Sequence, residues 1–200
     1  MKKSISTFLK RPAKDNTNRS ANPSVTRAST ILFNTMQELN QHEKKIKANK
    51  KITYYSYGRY GSSTTIELEN ILKELEQAYH VFLTGTGFGG VALAIMSLCR
   101  PGDEILVSDN VYGPTKELTQ DLMKEFNINA KFYDPDNFEN LKQKVTKKTK
   151  MILVENPGSN TFEFQDLSKI VNLAKRRNII TFLDNTWGTP LYCQPLKIGF

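Results

Sequence analysis

From Thr84 onward the chain alternates short apolar runs with amphipathic segments, the pattern of a parallel sheet covered by helices, hence an α/β fold. Val81-Phe82-Leu83, Ile105-Leu106-Val107, Met151-Ile152-Leu153-Val154 and Ile179 to Leu183 are predicted as buried strands, with Lys131-Phe132-Tyr133 a shorter one. Helices are predicted between them. Thr64 with Glu67 spells a capping box, and Leu68, Ile71, Leu72 and Leu75 follow it at core spacing. Val91 to Cys99, the stripe Leu118, Leu122, Phe126 and the stripe Leu167, Ile170, Val171, Ala174 supply further core-facing helices.

Residues 1–61 behave differently. Arg11-Pro12, Asn22-Pro23, the polar run Asp15 to Ser20 and the Tyr54 to Tyr60 stretch show little periodicity, which predicts an extended arm ordered by packing elsewhere, on another subunit included. A domain boundary is expected near Gly61, with the globular part at residues 62–200. Charge divides the same way. Residues 1–60 hold thirteen Lys or Arg against three acids, and residues 61–200 fifteen against seventeen, so the net +8 sits on the arm.

A basic arm admits nucleic acid or an anionic membrane as partners. The positives around Lys44 to Lys51 are interleaved with Glu43, Ile46 and Ala48 and come with no base-reading motif, so a solvated helix face or a phosphate-reaching arm is preferred. No nucleic-acid or membrane partner is expected. Ser4 to Lys10 lacks the apolar core of a secretory leader, which places the chain in the cytoplasm. Cys99 and Cys193 stand apart with no clustered His, so neither a metal site nor a disulfide is expected.

Three places carry chemistry. Ile179 to Leu183 delivers a carboxylate, Asp184, to the end of an apolar strand, where ligands bind in α/β sheets. Such an acid suits a pyridinium N–H, and it equally suits an Asx turn with Asn185. Gly85-Thr86-Gly87-Phe88-Gly89-Gly90 lies between a strand and a helix, where backbone N–H groups and the helix dipole attract phosphate. It also spells GxGxxG, with Asp109 nineteen residues beyond Gly90, so a dinucleotide site is a rival. Tyr57-Gly58-Arg59 offers a phenol and a guanidinium for a phosphate. Tyr112, after the Ile105 strand, suits stacking on a planar ring or acid–base work, and Glu155-Asn156-Pro157-Gly158-Ser159 reads as an active-site loop or an ordinary turn.

Taken in order, Asn22-Pro23, Arg27-Ala28-Ser29-Thr30, Tyr57-Gly58-Arg59-Tyr60-Gly61, Leu68 to Leu75, Gly87, Pro101-Gly102-Asp103, Tyr112, Glu155 to Ser159, Asp184-Asn185-Thr186-Trp187 and Pro195-Leu196-Lys197-Ile198-Gly199 resemble the Cys/Met-metabolism family of pyridoxal-phosphate enzymes. The resemblance implies the fold-type I, aminotransferase-like architecture and pyridoxal 5'-phosphate as cofactor. It implies that Asp184 pairs with the pyridine nitrogen, that Tyr112 stacks on the ring, and that the backbone of Gly87 and Phe88 holds the phosphate. Tyr57 and Arg59 would reach the phosphate of a neighbouring subunit in a homodimer or homotetramer. The family commonly has Ser-Gly and then Met or a small residue at the phosphate turn, so Phe88 is a departure.

Many γ-specific members of the family carry Asn-Pro where this chain has Ser159-Asn160, and the Pro157-Gly158-Ser159 spelling is similar to the bacterial cystathionine β-lyase branch. The implied activity is therefore β-elimination of cystathionine, or a related sulfur amino acid, to homocysteine, pyruvate and ammonia. Cystathionine γ-synthase and methionine γ-lyase chemistry are the alternatives within the family. The family's Schiff-base lysine stands in a Ser-x-Thr-Lys context after the Asp184 strand, and Lys197 does not match it. The resemblance thus implies the front half of an enzyme, inactive alone. A dinucleotide-binding domain and a non-catalytic relative that keeps only the fold remain as readings of another class.

Overall fold

The computed structural model describes residues 22–48, 50, 52 and 54–200; Arg11-Pro12 and the Asp15 to Ser20 run lie outside the described residues. The chain divides into two compact units, one up to Leu83 and one from Thr84 to Phe200.

In the first unit, helix α1 (Met36–Lys47) begins at Thr35, whose hydroxyl accepts from the Glu38 amide at 3.1 Å. None of its residues is buried, and Lys44, Lys45 and Lys47 crowd its last turn, where they suit the dipole. Lys44, Lys45 and Lys47 of the basic run form a solvated helix face. Helix α2 (Ser63–Glu76) starts earlier than the Thr64–Glu67 spelling predicts: Ser62 is the N-cap, and its amide donates to the Thr65 hydroxyl at 2.8 Å. Thr64 instead accepts from the Thr26 amide at 2.9 Å, so it ties down the segment before α1. Ile66 is the buried residue of α2, whereas Leu68 is 46% exposed, so the predicted Leu68 to Leu75 stripe is not a closed core. The 57–59 turn packs against residues 28–30: Thr30 bridges Tyr57, and the Gly58 amide donates to Ser29 O at 2.7 Å. A Cβ at Gly58 would stand 1.9 Å from Ala28 O, so only glycine fits there. Val81 to Leu83 forms no strand; Phe82 is 79% exposed, because no neighbouring strand pairs with the run among the described residues.

The second unit is a three-layer sandwich. Its strands β1 (Glu104–Ser108), β2 (Asn129–Tyr133), β3 (Thr149–Glu155) and β4 (Ile180–Asp184) form one parallel sheet in the order β2-β1-β3-β4. Four of the five predicted strands are therefore present. Alternation sorts their side chains. Ile105, Val107, Met151 and Leu153 face α3 (Gly87–Leu98), through Val91 and Ile95, and the helical segment after β1. Leu106, Ile152 and Val154 face α6 (Phe138–Lys144) and α7 (Leu167–Arg177).

The segment after β1 runs as α4 (Gly113–Glu117), a π-helical turn (Leu118–Leu122) and α5 (Met123–Glu125). The wider π turn changes the helical phase. It buries Leu118, Thr119 and Met123, whereas Leu122 is 48% and Phe126 46% exposed, so the predicted Leu118, Leu122, Phe126 stripe is broken at its second residue. Thr119 fits inside because its hydroxyl donates to Thr115 O at 2.9 Å. By contrast Leu167, Ile170, Val171 and Ala174 of α7 are all buried as predicted. Two single turns, α8 (Thr189–Tyr192) and α9 (Pro195–Ile198), follow β4.

At the amino edge of the sheet Glu104 is buried yet charged. Burial works against its ionised form, but Lys131 and the Thr149 and Thr146 hydroxyls outweigh it and hold its pKa below the ordinary value.

Ile152 is fully buried between β-strand neighbours and the α6/α7 layer. Its replacement by Ala is expected to lower the unfolding free energy by about 2–5 kcal/mol. Lys142→Ala, which removes an exposed ion pair with Glu139, should cost no more than about 1 kcal/mol, both changes being read by urea titration.

Candidate active site

The strand order reverses direction between β1 and β3: the chain passes from β1 to β2 on one side, then crosses to β3 and β4 on the other. Connections leave that point in opposite directions and open a crevice outside the carboxyl ends, where doubly wound sheets bind ligands. Four sequence-predicted residues of this unit, Gly87, Phe88, Tyr112 and Asp184, come to that edge. Tyr112 follows β1, and Asp184 ends β4. Gly87 opens α3, whose other end hands the chain to the start of β1, so its N-terminus points to the carboxyl edge.

Alternation also fixes the face. Met151 and Leu153 lie on the α3 side, so Glu155 does too; Ile180 and Phe182 pack on the same cluster, which puts Asp184 beside it. Glu155 and Asp184 are register partners on adjacent strands.

At the start of α3, Thr86 is the N-cap and its hydroxyl accepts from the Gly89 amide at 2.9 Å, while Gly90 N donates to Thr86 O at 3.1 Å. The amides of Gly87 and Phe88 have no acceptor among the described residues. Nothing lies within 4 Å of the position a Gly87 Cβ would take. Two free N–H groups at the positive end of a twelve-residue helix make a seat for an anion.

Asp184 combines the two alternatives its sequence left open. Its Oδ1 accepts from Thr186 N at 3.0 Å and from Thr186 Oγ1 at 2.5 Å, a local turn. Its Oδ2 has no partner among the described residues, so one oxygen anchors the carboxylate and the other is available to an N–H donor. The buried Asn185 Oδ1 is also without a donor, while Asn185 Nδ2 donates to Cys193 O at 3.1 Å. Beside it the exposed Trp187 meets Phe162 edge-on, ring centroids 4.9 Å apart.

Asp109, the acid that a dinucleotide would need, is paired with Lys116. Tyr57 and Arg59 belong to the first unit. Tyr57 is 40% exposed and its hydroxyl accepts from Ser29 Oγ at 3.4 Å. The Arg59 guanidinium lies over the Tyr57 and Tyr60 rings, 5.4 and 5.3 Å from their centroids, and pairs with no carboxylate among the described residues.

Beneath the crevice a polar network joins the loops after β1 and β3. Gln165 donates from Nε2 to Ser108 Oγ at 2.9 Å and from its amide to Asn156 Oδ1 at 2.7 Å, and accepts from Tyr133 OH at 2.8 Å. Burial pushes the Tyr133 phenol well above its ordinary pKa, so it stays a neutral donor. Asn110 fills the space beside Gly158, where a Cβ would fall 2.1 Å from its Nδ2, and Ser159 N donates to Asn110 O at 2.8 Å. Ser108 and Gln165 carry no motif that would have marked them.

Glu155 is the acid that sequence reasoning left as part of a loop or turn. It is 4% exposed and its Oε2 accepts from the Tyr112 amide at 2.7 Å. The signal was present: it ends an apolar strand as Asp184 does. Burial, and then Asp184, push its pKa up to about 6 against the pull of the Tyr112 amide. The folded chain therefore holds this proton more tightly than the unfolded chain, and stability falls as pH rises from about 4.5 to about 6. The contribution of this group to that loss is expected to be no more than about 2 kcal/mol, solvent screening reducing it further. Urea titrations at pH 4 and pH 7.5 should show it as the difference between the parent and Glu155→Gln, because Glu104, with its lowered pKa, changes stability in the opposite sense over part of that range.

Residues 6–200 match the family described as Cys/Met metabolism PLP-dependent enzyme. A cystathionine β-lyase of Bordetella avium is 34% identical over 177 residues, 88% of this chain and 43% of the relative. An L-alanine/L-glutamate racemase of Wolbachia pipientis is 32% identical over 191 residues, 90% of this chain and 45% of the relative. Among solved structures, a Campylobacter jejuni chain of the O-acetylhomoserine (thiol)-lyase type, holding N'-pyridoxyl-lysine-5'-monophosphate, superposes with a TM-score of 0.86 at 25% identity, over 99% of this chain and 48% of its own. The chain thus spans less than half the length of the relatives it matches. The parallel sheet with its flanking helices is the front part of the fold-type I architecture, and the chain belongs to the Cys/Met-metabolism family of pyridoxal-phosphate-dependent enzymes.

Proposed function

We propose that this chain is the cofactor-holding front part of a carbon–sulfur lyase of the cystathionine β-lyase type. The observation that carries the reading is the pairing, on one face of the sheet, of two free amides at Gly87 and Phe88 with a carboxylate oxygen of Asp184 that lacks a partner among the described residues. One end suits a phosphate and the other a protonated ring nitrogen, which are the two ends of pyridoxal 5'-phosphate.

That cofactor supplies an electron-poor ring able to take up the electron pair left when a substrate Cα–H bond breaks. Asp184 Oδ2 would accept the ring N–H and keep that nitrogen protonated, with Thr186 holding the other oxygen in place. Gly87 and Phe88 would donate to the phosphate, and Tyr112 would lie against the ring face. Tyr57 and Arg59 would complete the phosphate contacts of a neighbouring subunit. The absence of any carboxylate paired with Arg59 among the described residues supports that role.

The choice of β-elimination of cystathionine rests on the Pro157-Gly158-Ser159 spelling and on relatives such as the Bordetella avium enzyme. A racemase of similar identity shows that this portion of the fold serves more than one reaction in the family, so reaction type is tested directly.

The coding frame beyond Phe200 is expected to continue into Ser-x-Thr-Lys. The complete, cofactor-saturated enzyme should then convert cystathionine and water to equal amounts of homocysteine, pyruvate and ammonia. Formation of cysteine and 2-oxobutyrate would move it to the γ-specific branch, and no thiol release from any sulfur amino acid would sink the lyase reading. In that enzyme Asp184→Asn should lower kcat by about 10²–10³-fold, as loss of a charge aimed at the reacting system does.

A further inference from the structure

Glu155 is buried at the centre of the site and has no part in the roles above. We propose that it is a positioning residue, which fixes the Tyr112 backbone and through it the attitude of the Tyr112 ring toward a bound pyridoxal-type ring. The inference rests on the cofactor reading just given.

The argument begins with what does not hold Tyr112. Its side chain is 49% exposed, and among the described residues its ring meets no other ring and its hydroxyl has no hydrogen-bond partner. The position of the ring and the rotamers open to it therefore depend on the backbone that carries it. Tyr112 is the N-cap of α4, which has no side-chain cap of its own and carries Pro114, without an N–H, in its first turn. A capping box would satisfy the N-cap amide from within the helix. Here the acceptor comes from 43 residues away, Glu155 Oε2 at 2.7 Å.

Glu155 is a rigid post. It ends a strand paired on both sides, with Leu153 opposite Val107 of β1 and Glu155 opposite Asp184 of β4. The post that orients Tyr112 thus stands beside the acid suited to the ring nitrogen, so the stacking group and the nitrogen anchor keep a fixed spacing through one strand pair. Burial favours the neutral form of Glu155, and the Tyr112 amide opposes that by donating to the carboxylate. A hydrogen bond from a backbone amide to a carboxylate is the strong kind that holds such a group.

The test uses pyridoxamine 5'-phosphate, which needs no lysine, titrated by fluorescence against the cofactor-free form of the complete enzyme and its Glu155→Ala, Glu155→Gln, Tyr112→Ala and Glu155→Ala/Tyr112→Ala variants. Inorganic phosphate is followed in parallel by phosphorus NMR. Glu155→Ala should weaken pyridoxamine phosphate about tenfold, the size of a lost stacking contact. Gln keeps the acceptor and the shape, so Glu155→Gln should bind within about twofold of the parent. The double variant should be no weaker than Tyr112→Ala alone, and phosphate binding should not change. Parent-like binding by Glu155→Ala, losses that multiply in the double variant, or an equal loss of phosphate affinity would each overturn the proposal. If the parent itself does not bind pyridoxamine phosphate, the cofactor reading fails first and this inference falls with it.

Discussion

The pairing of β1 with β3 is the constraint on which the second unit depends. The two strands are neighbours although β2 lies between them in sequence, so the chain must cross from one side of β1 to the other. Both strands are buried on both faces, and that burial forces a helical layer on each side. Once the layers are in place, the loops leaving β1 and β3 diverge, and the crevice between them follows from topology. Tyr112, Glu155 and Asp184 reach it because each follows or ends a strand. The polar network of Ser108, Gln165 and Asn156 then joins the divergent loops from below.

Electrostatics on the crevice face are balanced by donors rather than by counter-charges. Two carboxylates stand in register, which alone would be repulsive. Glu155 is held by a backbone amide, and one oxygen of Asp184 by Thr186. What stays open is one carboxylate oxygen at a strand end and two amides at the start of α3. That polarity, acceptor at one place and donors at another, matches a ligand with a protonated ring nitrogen and an anionic tail. It does not match a dinucleotide, whose ribose would need an acid such as Asp109, and Asp109 is taken by Lys116.

Much of this was legible in the sequence, for a physical reason. Four strands and helix α7 announced themselves because burial on a sheet or helix face demands apolar residues at fixed periods, as in Met151 to Val154 and Leu167 to Ala174. Where a local rule competes with a tertiary one, the sequence misleads. Thr64 looks like a cap but bonds to Thr26, so α2 starts at Ser62 instead. Leu118, Leu122 and Phe126 fit an α-helical stripe, yet a π turn shifts the phase and Met123 takes the core place. Val81 to Leu83 has strand composition, but composition supplies no partner strand.

The site shows the same division between side chains and backbone. Asp184 could be picked out because the group proposed to meet a ring nitrogen is its own carboxylate, whereas the proposed anion seat consists of N–H groups that every residue except proline possesses. This is consistent with Phe88 standing where the family commonly has Met or a small residue: its side chain is 42% exposed, and the proposed contact needs only its amide. The role of Glu155 was hidden for the converse reason. Its side chain is distinctive, but its partner is the Tyr112 amide, and a hydrogen bond between a carboxylate and a backbone N–H 43 residues away leaves no trace in spacing. A backbone donor tolerates substitution at its own position, whereas the acceptor must keep a side-chain oxygen in place, so at such a contact the restriction falls on position 155 and admits only Glu or a close isostere such as Gln.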